Sequence, residues 1–187
     1  MKRSVFLSHV SAAIVVTILT GLIYVSVQQS HRSGVNDPQL QIARDIAERL
    51  KNNQSIDQLM AGDTVDLSKS LAVFKILYTN EGEPVRSSGI LDGKPPRIPQ
   101  DVLDHSRSQG ENVLSWQPQR GIRVALVVES VQSGGIGFVA VGRSLKETEK
   151  RVGNLTILLL MGWLGCFAVI LIHFVILNFR DRIKQQS

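Results

Sequence analysis

Cysteine is almost missing from this chain, with one, Cys166, in 187 residues. No intrachain disulfide can form, so a folded domain here is held by its own apolar core. Aromatics are few as well, two Trp, two Tyr and six Phe, which leaves most of that core to aliphatic side chains. Charge is missing from two places: residues 5–27 and 155–177 contain no Asp, Glu, Lys or Arg. Each run is long enough to cross a hydrocarbon core of about 30 Å as a helix, and this excludes a plain soluble protein. Catalytic signatures are missing too. No serine sits in a Gly-x-Ser-x-Gly elbow and no cysteine has a histidine partner in view. Gly134-Gly135-x-Gly137 lies between two strand patterns rather than before a helix, so it reads as a hairpin turn and not as a phosphate cradle. Asp101-x-x-Asp104-His105 is a solvated helical turn, and Asp63, Asp66 and Asp92 lack the alternation of a calcium loop. The expectation is a protein that is not an enzyme, with no cofactor and no structural metal.

What is present is a globular charge balance between the two apolar runs. Residues 28–153 carry 16 Lys or Arg against 15 Asp or Glu. The rest of the formal charge of +5 sits beside the runs, on Lys2, Arg3, Arg180, Arg182 and Lys184 with Asp181. Basic residues flanking membrane spans face the cytoplasm. Both termini are therefore expected in the cytoplasm and the central domain outside, and the positive charge signals topology rather than nucleic-acid binding. The first run is longer than a signal-peptide core, and Tyr24-Val25-Ser26-Val27-Gln28 offers no small-x-small cleavage pattern, so it reads as an uncleaved anchor.

The central domain divides into elements. After a polar linker at 28–37, Ile42, Ile46, Ala47 and Leu50 recur at helical spacing, with Asp37 as cap and Pro38 at the first position of a helix running to about Met60. Strand patterns follow at 71–79 and 85–88 around the turn Asn80-Glu81-Gly82-Glu83-Pro84. A short helix is expected at 100–109, and strands at 112–117, 122–130 and 137–142 form an antiparallel meander. Ser144 with Glu147 three residues on is a capping box that opens a last helix. A five-stranded antiparallel sheet with a long N-terminal helix on one face is an α+β solution that buries one face of each element.

The segment from Leu71 to Glu149, with ILYTNEGEPVRSSGILDGKPPRIP, NVLSWQP, GIRVALVVE and GFVAVGRSLKETEKR, resembles the extracytoplasmic PAS-like (Cache or PDC) input domains of bacterial sensor histidine kinases and chemoreceptors. The organisation read from spans and resemblance together is a cytoplasmic N-terminus at 1–4, a transmembrane helix at 5–27, an extracytoplasmic PAS-like domain at 28–153, a second transmembrane helix at 154–177 and a cytoplasmic tail at 178–187 of a two-pass inner-membrane protein. The tail is too short for a phosphoacceptor helix or an ATP-binding domain, so output is expected from a membrane signalling partner such as a histidine kinase.

The resemblance implies a pocket between the sheet and the segment crossing it, here 89–109. The polar and aromatic candidates near that cover are Tyr78, Arg86, Trp116 and Arg123; guanidinium groups beside aromatics suit a small carboxylate-like ligand. Each also has an ordinary structural reading, as surface charge or core aromatic. His31 and His105 stand alone in the domain. His9 and His173 fall at similar depth in the two apolar runs, a placement that suits a haem ligand pair, a contact between helices, or two neutral interfacial imidazoles; the last is the expectation. Ala13, Thr17 and Gly21 in one run, Gly162, Gly165 and Ala168 in the other, and the seam Leu145, Val152, Leu155 suggest a parallel homodimer. Two functions remain in view: a sensor of a small ligand or envelope condition, and a non-enzymatic scaffold or accessory subunit that binds another envelope protein.

Overall fold

The computed structural model describes the backbone of residues 2–186 and the side chains of 5–30, 36–180 and 183. The side chains read above as topology signals at Lys2, Arg3, Asp181, Arg182 and Lys184, and that of His31, lie outside the described ones, as do Met1 and Ser187 altogether. In chain order the elements are α1 (Lys2–Lys51), α2 (Ile56–Leu59), β1 (Val65–Asp66), β2 (Phe74–Tyr78), β3 (Pro84–Ser87), β4 (Gly89–Ile90), α3 (Gln100–Gln109), β5 (Glu111–Gln119), β6 (Ile122–Ser133), β7 (Ile136–Ser144) and α4 (Lys146–Gln186). They form two compact units, one from Met1–His31 with Lys150–Ser187 and one from Arg32–Glu149.

Val5–Ser30 of α1 and Lys146–Arg180 of α4, which supply most of the first unit, are long and apolar enough to cross a membrane. Their large apolar side chains point outward, with Leu22, Leu164 and Val169 all more than half exposed. A continuous apolar surface of this kind is unfavourable in water and suits lipid. The two helices meet through polar as well as apolar groups. The Trp163 indole N–H donates to the Thr17 hydroxyl (3.1 Å), which itself donates back to the Ala13 carbonyl (2.8 Å).

The second unit is a five-stranded antiparallel sheet in the order β3-β2-β7-β6-β5. Strands β6 and β7 are joined by Gly134-Gly135, with φ of +57° and +83° and the flanking Ser133 and Ile136 paired. Two successive positive φ angles make the tight mirror-image turn whose twist matches a hairpin, and glycine adopts them without steric cost. Side-chain alternation gives the sheet two apolar faces. On one, Leu77, Val127, Val139 and Val141 pack against Ala43, Ile46, Ala47 and Leu50 of α1. On the other, Phe74, Ile76, Tyr78, Leu126 and Phe138 are covered by Ile98, Val102 and Leu103 from α3 and the segment before it. A short parallel pairing of two residues each, Val65↔Gly89 and Asp66↔Ile90, secures the start of that cover. One crossing is close enough to require glycine: a Cβ at Gly137 would lie 2.7 Å from the Asn80 Cα and 2.8 Å from its backbone nitrogen.

Two expectations about boundaries are corrected. The helix does not start at Pro38 after a polar linker; α1 runs through it. A proline inside a helix loses one N–H bond and presses its ring on the carbonyl four residues back, and α1 keeps its course despite this. Nor does that helix reach Met60. It stops at Lys51, where Asn53 takes φ +58° and the bonds Asn53 N–H to Leu50 O and Gln54 N–H to Arg49 O (both 3.0 Å) close a left-handed C-terminal cap. Ser144 ends β7, and its hydroxyl accepts from the Lys146 N–H at 3.3 Å where α4 begins.

Candidate functional site

The candidate residues divide between the two faces of the sheet. Tyr78 lies in β2 and Trp116 in β5, both buried on the face beneath α3. The Tyr78 hydroxyl donates to the Pro96 carbonyl (2.7 Å), tying the cover to the centre of the sheet, and burial pushes its phenol well above the ordinary range. Arg86 is paired in register with Leu77, whose side chain packs on α1. Directly opposed residues share a face, so Arg86 projects on the α1 side, where it bonds Asp57 of α2. Arg123 has the same parity along β6 as Val127, another residue of the α1 side, and its guanidinium bonds Glu149 (2.6 Å).

The pairing of guanidinium with aromatic that the sequence suggested is therefore not formed. The sheet itself stands between Arg86 and Arg123 on one face and Tyr78 and Trp116 on the other. The two arginines are also separated from each other by two intervening strands, about 14 Å of sheet. Each is half exposed and holds a carboxylate of its own chain. What the structure brings together instead are ties between elements. Lys75 donates from Nζ to the Leu59 and Ala61 carbonyls (2.8 and 3.2 Å), fixing the end of α2 to β2. Arg107 donates to the Asn80 carbonyl (2.8 Å) with its guanidinium 5.2 Å from the centre of the Phe138 ring, fixing α3 to the first hairpin. Neither tie is signalled by residue type or spacing in the sequence.

Removing only the Tyr78 hydroxyl should show how much the cover depends on it. Tyr78→Phe leaves the buried Pro96 carbonyl without its partner, and the expected loss is about 1–3 kcal/mol of unfolding free energy, read by chemical denaturation of the detergent-solubilised chain. An unchanged midpoint would mean that the cover is held by apolar packing alone.

A second cluster lies where α1 crosses the other edge of the sheet. Glu111 and Glu129 are direct cross-strand partners, and Arg44 of α1 bonds Glu111 (2.8 Å). One oxygen of Glu129, Oε2, is enclosed and has no hydrogen-bond partner. Burial and, after it, the Glu111 charge raise the Glu129 carboxyl above its ordinary value of 4.5, partly opposed by Arg44 and Lys51. A carboxyl raised in the folded state binds its proton more tightly there than in the unfolded chain. Its favourable contribution is therefore complete below 4.5 and is lost as pH rises through the folded-state value. Glu129→Gln is expected to melt at a higher temperature than the parent at pH 7, with the difference closing below pH 4.5; equal melting temperatures across that range would contradict this.

In the first unit His9 and His173 meet. His9 Nε2 lies 3.1 Å from His173 Nδ1, the ring centres are 5.1 Å apart, and the His9 Nδ1 is 2.7 Å from the Val5 carbonyl. The contact between helices is the arrangement found, with His9 also on a backbone carbonyl. The directly bonded rings leave no space between them for a porphyrin plane. Beside them is an open groove of about 230 Å³ lined by Ser8, Ala12, Val169 and Ile170 as well as the two histidines. Among the described residues no group of three or more His, Cys, Asp or Glu side chains converges as a metal site would require.

No family model and no curated protein matches this chain.

Proposed function

We propose that the chain is a two-span protein of a bacterial inner membrane whose Arg32–Glu149 unit lies outside the cytoplasm and serves as a PAS-like input domain. It responds to a small ligand or an envelope condition and signals through a membrane partner such as a histidine kinase, without catalysing a reaction itself. Support for the PAS-like reading is the layer arrangement the resemblance implies: a five-stranded antiparallel sheet, a long N-terminal helix on one face, and a crossing segment with a short helix on the other.

The observation that carries the signalling part is the attachment of α4. Its first turn is tied to β6 by the Arg123–Glu149 pair and by the Leu145 N–H donating to the Arg123 carbonyl (2.8 Å). The same helix continues into the second apolar segment. A ligand that shifted β6 against its neighbours would act on the start of α4 first. Arg123 is thus read as a coupling residue rather than a ligand-binding one, and a homodimer would place two such helices side by side.

A scaffold or accessory role is the second reading, and the packing of the covered face favours it. Phe74, Tyr78, Phe138 and Leu103 are all buried to within 1% of complete and fill the space beneath α3. A thermal-shift screen of the full chain in detergent against small carboxylates, amino acids, sugars and ions separates the two. Ligand at about 100 times its dissociation constant adds roughly 2.7 kcal/mol to the folded state. A reproducible rise in melting temperature supports the input domain. No response from a folded protein supports the scaffold.

A further inference from the structure

The contact between His9 and His173 makes no use of the sheet domain and stands apart from the reading above. Intramembrane ionisable groups are costly enough to call for a reason, and the hydrogen-bond directions here supply one. His9 Nδ1 faces the Val5 carbonyl at 2.7 Å, an acceptor only, so that nitrogen carries the hydrogen and His9 Nε2 is left with its lone pair. The lone pair points at His173 Nδ1, 3.1 Å away, which must then be the donor. In the neutral pair His173 Nε2 is the one ring nitrogen without a hydrogen. A first proton from water adds there and leaves the inter-ring bond in place, now donated by a cationic ring and so strengthened. A second proton can add only to His9 Nε2, the atom that accepts. Two N–H groups then face each other with no acceptor between two positive rings, and the bond cannot persist.

We propose that His9 and His173 form a proton-operated clasp between the two apolar helices, closed with no more than one added proton and opened by the second. The groups facing the pair are Ser8 and Ala12 from α1 and Val169, Ile170 and Phe174 from α4. Among these described residues none is charged or titratable, so no neighbouring carboxylate offsets the second proton. The nearest described charge along α4 is Arg180, seven residues beyond His173. Protons reach the site through the open groove beside the rings. The helices below the clasp have a built-in reporter, because the Trp163 indole N–H donates to Thr17 across the same helix pair.

The test uses the full chain in lipid nanodiscs with nitrogen-15 labelled histidine and tryptophan. At pH 7.5 a through-hydrogen-bond coupling between His9 Nε2 and His173 Nδ1 is expected, with loss on acidification to pH 4.5 and recovery on return. The Trp163 indole resonance, assigned by its disappearance in Trp163→Phe, is expected to shift over the same pH range. His9→Gln removes the second protonation site, so in that variant the indole resonance should no longer move with pH while circular dichroism shows the same helix content. A coupling that survives at pH 4.5, no coupling at either pH, or an indole shift that titrates identically in His9→Gln would each overturn the clasp.

Discussion

Phe74→Ala is expected to cost about 3–5 kcal/mol of unfolding free energy, a large share of the roughly 5–15 kcal/mol that holds an ordinary domain folded. The ring is 1% exposed and lies at the centre of the covered face. It fills a place prepared on both sides by missing side chains: a Cβ at Gly89 would lie 2.8 Å from the ring, and one at Gly142 would run into its far edge. Two strands thus gave up side chains to admit one aromatic, and truncating it leaves a cavity that neither glycine can fill. Denaturant unfolding of the detergent-solubilised chain, followed by the buried Trp116 on the same face, reads the loss. A midpoint within 1 kcal/mol of the parent's, as an order of magnitude for a tolerant surface site, would show that the layer beneath α3 collapses easily and does not define the fold.

Ala43→Asp is expected to be comparably damaging on the opposite face. Ala43 has no exposed surface and sits between α1 and the strands bearing Val127 and Val141. An aspartate there is enclosed without a cation, and an uncompensated buried charge costs on the order of 3–5 kcal/mol. The variant should lose the docking of residues 36–51 on the sheet before it loses the sheet, because the strands keep their own ladder and their other covered face. Amide hydrogen exchange distinguishes these: fast exchange confined to 36–51 is the expected pattern, and uniform fast exchange through β6 and β7 would show that the two layers unfold as one.

Much of this architecture is legible in the residues because local signals and tertiary packing agree. The β-branched and aliphatic runs read at 71–79, 122–130 and 137–142 became β2, β6 and β7, the last two longer than read, and Gly134-Gly135 became the turn its composition demands. The short helix after Pro99 and the meander of the last three strands also follow the pattern. Faces were harder to read. In β6 the sequence Val124-Ala125-Leu126-Val127-Val128 is apolar at every position because both sides of the strand are covered. Alternation then carries no sign, and whether Arg123 points with Trp116 or against it is set by register across the sheet. The candidate cluster of Tyr78, Arg86, Trp116 and Arg123 separated for that reason.

The continuation of α1 through Pro38 was illegible for a different cause. Proline next to a polar stretch is a sound local signal for a helix start, and a single helix joining the apolar run to the segment packed on the sheet runs against it. By contrast, the meeting of His9 with His173 follows from two apolar helices running in opposite directions with one histidine at similar depth in each. There the geometry was implicit in the spacing, and only the hydrogen-bond directions needed coordinates.

Which side of the membrane the sheet domain occupies is tested most directly by single-cysteine labelling in intact cells. Cys166→Ala provides a background without cysteine, Arg120→Cys places a thiol in the exposed turn between β5 and β6, and Ile183→Cys places one at an exposed position beyond the second apolar segment. With a membrane-impermeant maleimide, the two-span input-domain reading predicts that Arg120→Cys is modified in intact cells and Ile183→Cys only after the membrane is permeabilised. Modification of Ile183→Cys in intact cells with Arg120→Cys protected would invert the topology and remove the basis for an extracytoplasmic input domain.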